Sequence, residues 1–321
     1  MSHVVLRSLA CLGVALLLVG GQAGEAQPSG EDLETPSSSD PVSDTATSSW
    51  HYMTRARFDL SQAAYKDWKE GGGNNSLVVE GNVRAGAERR GELWAQSHET
   101  RLAFGIFNQE DQELRKAEDR IQVQSNLQYQ GDGFFRVFNP TLAGNLRTQF
   151  ASGFDYDSNP FEGEVPSTDP RLNQDPPVET SAFFAPAFIT ESLGLTYEPA
   201  DVLTVRLGAA SKQTVVVEEN FRELYSVDSD ALARVEAGSE FASSLNAKLS
   251  ENIRYRSDLN VFFAFNLAED PPDILWENTV SMSVNDWLST DLEFTALYDK
   301  NTTDAVQLKE TISVGLSFDL L

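Results

Sequence analysis

The chain has 321 residues, enough for one large domain or two small ones. Its 49 Asp and Glu outnumber 24 Lys and Arg to give a net charge of -25, a field that repels polyanions and excludes a phosphate-neutralising nucleic-acid binder. The only cysteine, Cys11, lies in an N-terminal apolar run, so the rest of the chain can form no disulfide, thiolate metal site or redox pair. The acidity reads either as solubility or as adaptation to high salt, where about 1 M electrolyte screens charges beyond roughly 3 Å.

Residues 1–26 read as a cleaved export signal, with Arg7, an apolar run from Leu9 to Gly20, and small residues up to Ala26. Residues 27–49 are Ser, Thr, Pro and acidic side chains with almost nothing to bury, and read as a flexible leader. No later stretch approaches a transmembrane helix in length and apolarity, so a membrane location demands a closed sheet.

From residue 50 to residue 321 apolar and polar residues alternate. Leu203, Val205, Leu207 and Ala209 fall on one face and Thr204, Arg206, Gly208 and Ala210 on the other. A period of two is the signature of a strand. Twelve such segments are predicted near 51–66, 75–88, 92–107, 118–130, 134–154, 183–198, 201–216, 233–250, 253–267, 273–285, 287–299 and 305–320. The connections between them alternate in length. The odd ones include 66–74, 108–117, the long 155–179, 217–231 and 300–304; the even ones are as short as Glu251–Asn252 and Asn285–Asp286. Single-chain outer-membrane barrels put short turns on the periplasmic side and long loops outside, and a soluble sandwich has no reason to. The expected fold is therefore all-β: a closed antiparallel transmembrane barrel of about twelve strands.

The last strand carries its own signal. In Ala305–Leu321, Ser313, Gly315, Phe318 and Leu320 give the polar, Gly and spaced apolar pattern of the C-terminal strand that the barrel-assembly machinery reads. Aromatic residues near strand ends, Trp50, Trp68, Trp94, Tyr129, Tyr197, Trp276, Trp287 and Tyr298, suit two interfacial girdles against outer-membrane lipid. The polar faces turn Arg55, Arg57, Asp59, Glu80, Arg84, Arg101, Arg120, Arg147, Arg206, Arg234, Glu236, Glu240, Lys248, Asp291, Glu293 and Lys309 towards a lumen. Glu191 and Glu310 fall on the apolar face, so they must lie near the outer rim, or the register is off by one.

Catalytic and metal patterns are weak. His51 and His98 are the only histidines after the leader, without a Ser motif to suggest an activated nucleophile, so no enzyme is expected. Asp155-x-Asp157-x-Asn159 opens like a calcium loop, but Pro160 stands where Gly is wanted and Pro166 where a bidentate Glu belongs; it reads as an acidic outer loop, as does Ser226–Asp230. Gly71–Gly73 lacks the Lys-Ser/Thr ending of a phosphate cradle and reads as a turn. No cofactor or metal is expected.

Three landmarks, Trp68-Lys-Glu-Gly-Gly-Gly-Asn-Asn-Ser76, Arg115-Lys116-x-x-Asp119 and Thr148-Gln149-Phe150-x-x-Gly153, resemble those of an uncharacterised outer-membrane β-barrel family of Gram-negative bacteria, a domain of unknown function. The resemblance spans residues 52–321 and implies location and architecture rather than activity. Bacteroidota-type members often end on an aromatic residue, and Leu321 departs from that pattern. Three functions stay open: a narrow pore or transporter for small polar or anionic solutes, a non-conducting structural or surface-interaction barrel acting through 155–179 and 217–231, and a soluble secreted β-sandwich.

Overall fold

The computed structural model describes residues 49–63, 76–109, 113–266, 271–301 and 305–321. The export signal, most of the leader, Trp68 and the Gly71–Gly73 turn lie outside the described residues. The strands are β1 (Trp50–Ala63), β2 (Ser76–Arg90), β3 (Trp94–Gln109), β4 (Arg115–Tyr129), β5 (Phe138–Thr148), β6 (Gly153–Asp155), β7 (Val178–Ser181), β8 (Ala187–Ala200), β9 (Leu203–Val215), β10 (Ala233–Ser250), β11 (Ile253–Ala264), β12 (Asp273–Ser283), β13 (Leu288–Tyr298) and β14 (Gln307–Asp319). All but β6 and β7 form a closed antiparallel barrel of twelve strands in chain order, shut by β1 against β14. Closure removes the free sheet edges, the condition for a β-sheet to sit in lipid. No helix among the described residues is long and apolar enough to cross a membrane.

The closing seam extends past the last strand, because Leu320 N–H donates to the Thr54 carbonyl and Thr54 N–H to that of Leu321. Both barrel ends therefore meet at the rim that carries the short turns, and the long connections gather at the other rim. In outer-membrane barrels the short turns face the periplasm and the long loops the outside.

The outward face is apolar and open, with Leu193, Leu308 and Ile312 each more than 60% exposed. Such a band is a liability in water and the requirement in lipid. The register is the one read from the alternation, so Glu191 and Glu310 do point outward. Each sits in the loop-side half of its strand, fifth in β8 and fourth in β14, where an acidic side chain costs least. Gly194 pairs with Gly208, where the two backbones approach closely. A Cβ at Gly194 would overlap the Leu207 carbonyl and the Gly208 Cα, so only glycine fits that approach.

Two predicted strands are too long. Of the barrel strands the segment 134–154 holds only β5, with the start of β6 outside the barrel, because Gly133 at φ 62° starts a helical turn over Phe134–Val137, tied by Asn139 Nδ2 donating to the Phe135 carbonyl. At its other end Asp119 accepts the N–H groups of Phe150 and Ala151 and leads the chain off the barrel. The segment 183–198 likewise begins as loop, and β8 starts at Ala187.

The apolar core that the barrel interior lacks lies in the long loops. Phe161, Val178, Ala185, Val216, Phe221 and Val227 are buried against one another, drawn from the β5–β8 connection and from Val216 onward in the β9–β10 connection. Burying each large side chain contributes about 1.5–3 kcal/mol, which makes the two loops one packed body rather than loose tips. Arg171 fixes it, bonding Asp169, Glu223 and the Asn220 carbonyl and lying over the Phe161 ring at 4.8 Å. Asp155 and Asp169 serve turns, accepting the N–H groups of Asp157 and Ser158 and of Arg171 respectively.

Candidate functional site: a charged lumen with one open side

Alternation along the strands brings all sixteen charged residues singled out from the sequence to the inner face. They are not a free ladder of cations. Arg57 bonds Asp59 at 2.7 Å and Asp291 at 2.8 Å, while Asn82 and Ser313 also donate to Asp59. Glu99 takes both Arg84 and Arg101. Glu240, almost fully buried, accepts from Arg206 at 2.8 Å, Ser192 at 2.6 Å and Asn260 at 2.6 Å. Arg234 pairs with Glu236, and Arg55 with Asp319 at the turn rim. A buried charge without such partners would cost several kcal/mol, so the pairing is what lets these residues line a narrow bore.

Four ion pairs, made by three cations, cross the bore. Arg120 on β4 reaches Glu277 on β12 at 3.0 Å, and these strands stand opposite each other in the ring. Lys309 on β14 reaches Glu118 on β4. Near the loop rim Lys212 of β9 lies 2.6 Å from both Asp273 of β12 and Asp299 just beyond β13. Glu99, Glu118, Lys212, Asp258, Asp273, Glu277 and Asp299 were missed by the sequence reading. Asp258 and Glu99 do lie on the polar face of an alternating strand, but the cross-bore partners pair only once the ring closes.

The β1 side of the lumen is filled by this web. On the other side a cavity of about 890 Å³ remains. It runs from Gln96, Gln128 and Glu198 near the turn rim to Lys212, Pro186 and Tyr225 beneath the loops, with Gln122, Asn126, Asn145 and Thr190 between them. Tyr225 also bonds the Thr180 carbonyl, and Ser226 reaches the Asn301 carbonyl, so the packed loops lie at the loop-rim end of the cavity.

Arg147 stands outside this pairing. It lines the cavity and forms no ion pair or hydrogen bond among the described residues, Arg120, Glu277 and Glu118 being its charged neighbours.

The aromatic residues divide between the rims. Trp94 packs on Tyr129 at 5.1 Å, Phe138 on Tyr197 at 5.2 Å, and Trp50 near Tyr52, all towards the turn rim, where Trp287 also lies. Trp276 and Tyr298 belong to the loop-side halves of β12 and β13, Trp276 against Phe294. On the lipid face Trp276 Nε1 donates to Ser257, and on the adjacent β11 Tyr255 donates to Asn278. His98 is outward too, with Nδ1 2.8 Å from Ser125 Oγ and its ring beside Trp50. That bond satisfies two polar groups on an apolar surface.

In the last strand Ser313 and Gly315 face inward. The Arg57 and Asp59 side chains lie across Gly315, and a Cβ there would overlap both, so the glycine has a packing reason of its own. Phe318 and Leu320 face outward and are exposed.

Similarity to known proteins is distant. No curated protein sequence matches the chain. Among solved structures, an outer-membrane channel from Pseudomonas putida F1 is 11% identical, with 87% of this chain and 98% of that chain covered and a TM-score of 0.39. The translocator domain of the autotransporter NalP from Neisseria meningitidis is 9% identical, with 86% and 89% covered and a TM-score of 0.36. The Pseudomonas putida toluene transporter TodX is 7% identical, with 86% and 90% covered and a TM-score of 0.29. None of these likenesses bears on what the chain does. Residues 60–154, a span narrower than the resemblance read from the sequence but holding all three of its landmarks, match the family model described as a protein of unknown function (DUF3078).

Proposed function

We propose that this barrel is a narrow passage for small polar solutes across the outer membrane, covered externally by the packed loops. The observation that carries the reading is the cavity of about 890 Å³, lined by many amide, hydroxyl and charged side chains, that follows one wall from the turn rim to the loops. Its walls offer amides, hydroxyls and paired charges, groups that replace the hydration of a small solute without trapping it. Because carboxylates neutralise most of the lumenal cations, the general selection is for size and polarity rather than for anions. The outward residues Phe318 and Leu320 are, on this reading, the surface that the assembly machinery engages.

The pairs that span the bore favour a second reading, a sealed barrel whose loop body meets a partner. Swelling of liposomes that contain the folded full chain separates the two. Entry of a pentose but not of a trisaccharide supports the passage; no entry of any solute supports the sealed barrel.

A further inference from the structure

Arg120, Arg206 and Lys212 are each answered by a carboxylate, whereas Arg147 presents to the cavity a guanidinium with no ion pair among the described residues. Its surroundings are specific. Arg147 on β5 is the register partner of Phe188 on β8, so both side chains rise from the same face of adjacent strands. The Phe188 ring meets the ring of Tyr225 at 6.5 Å and 75°, and Tyr225 comes from the loop body above. Gln122, the other register partner of Arg147, also lines the cavity. A planar five-donor fork therefore stands beside two aromatic faces in a space whose volume lies within the range of about 300–1,000 Å³ usual for small-molecule sites. The fork matches a carboxylate or sulfonate in bidentate geometry, and the rings exclude water from the rest of the molecule.

We propose that the loop end of the cavity binds a small organic anion with an apolar body, its acid group on Arg147 and its body against Phe188 and Tyr225. This deepens the reading of the cavity as a solute path and rests on it for physiological meaning, while the site itself can be tested separately. Arg147 is then the specificity-determining residue of the passage, where a travelling anion pauses. Arg120, Glu277 and Glu118 are its charged neighbours, and Glu277 and Glu118 are each already bonded to another cation.

The test uses the folded full chain in detergent, with benzoate as the probe and titration calorimetry as the readout. Benzoate binds saturably at one site, and benzyl alcohol and acetate, which each lack one half of the match, bind at least about tenfold more weakly. Arg147→Gln weakens benzoate about tenfold to a hundredfold, the loss of a charge-assisted bond, and Phe188→Leu weakens it severalfold without affecting acetate. Each variant is first checked for the heat-dependent gel shift of a folded barrel. Should Arg147→Gln not fold, Arg147→Lys and Phe188→Leu carry the comparison, and both weaken benzoate. Benzoate binding that is unchanged in these variants, or matched by acetate, overturns the site. Planar-bilayer currents tell the two claims apart: binding without current defeats the passage and leaves the site standing, and current without binding defeats only the site.

Discussion

Glu277→Gln opens the bore at its crossing point. Arg120 and Glu277 meet at 3.0 Å from opposite strands, with each side chain about 21% exposed. Two unit charges about 4 Å apart at an effective dielectric near 20 attract by about 4 kcal/mol before desolvation is counted. Partial burial of both groups cancels much of that, and their residual exposure lowers the cost of leaving Arg120 alone with Glu118. The net coupling works out at about 1–2 kcal/mol, between the exposed and buried limits. A double-mutant cycle of Arg120→Gln and Glu277→Gln, followed by urea unfolding on the gel-shift assay, measures it. In planar bilayers Glu277→Gln raises the unit current, because the bar across the lumen relaxes while the wall stays intact. Coupling indistinguishable from zero together with an unchanged current would refute the claim that this pair spans and narrows the lumen.

Gly194→Ala places a methyl against backbone that cannot yield, and costs about 3 kcal/mol in urea unfolding, the upper end for overpacking. Gly144→Ala, on a neighbouring strand with open space around it, serves as the control and stays within about 1 kcal/mol. Phe161→Ala removes the largest side chain of the loop core at a local cost of about 3–5 kcal/mol; hydrogen exchange then speeds up across 156–182 and 216–231 and not in the barrel strands, and exchange spread over the whole chain would contradict a separate loop body. The loops also respond to pH. Hydrogen bonds from Arg171 hold the Asp169 carboxyl at about 2 and keep Glu223 below the usual range. Their contribution is therefore complete above the unfolded values near 4 and is lost as pH falls towards 2. Burial pushes the Tyr225 phenol up to about 12, so its contribution is complete below about pH 10 and is lost as pH rises towards 12. Limited proteolysis of the loops against pH reads both edges, and cleavage that sets in at neutral pH would contradict the assignment.

The barrel was legible because lipid on one side and a polar lumen on the other impose a strict two-residue alternation, and because loop lengths alternate when both ends share a rim. Leu203 to Ala209 show the first, and the two-residue turn Glu251–Asn252 beside the long 155–179 connection shows the second. The ends of β5 were not legible, because Gly133 and Asp119 act through a turn conformation and a contact from a neighbouring strand, neither of which has a periodicity. The lumenal Arg residues could be placed on the correct face, but not their partners. Arg120 and Glu277 are 157 positions apart, and nothing local relates them. The loop core was missed for the same reason: Phe161, Val178 and Phe221 are isolated apolar residues in polar stretches, and they become a core only where two connections meet.

The single-channel current of the folded full chain in a planar bilayer tests the passage most directly. The cavity beside the ion-paired wall predicts small, resolved, ohmic steps that grow when Glu277 is neutralised and when the loop core is loosened by Phe161→Ala. A correctly folded, heat-modifiable barrel that gives no current, in the native chain or in either variant, would contradict it.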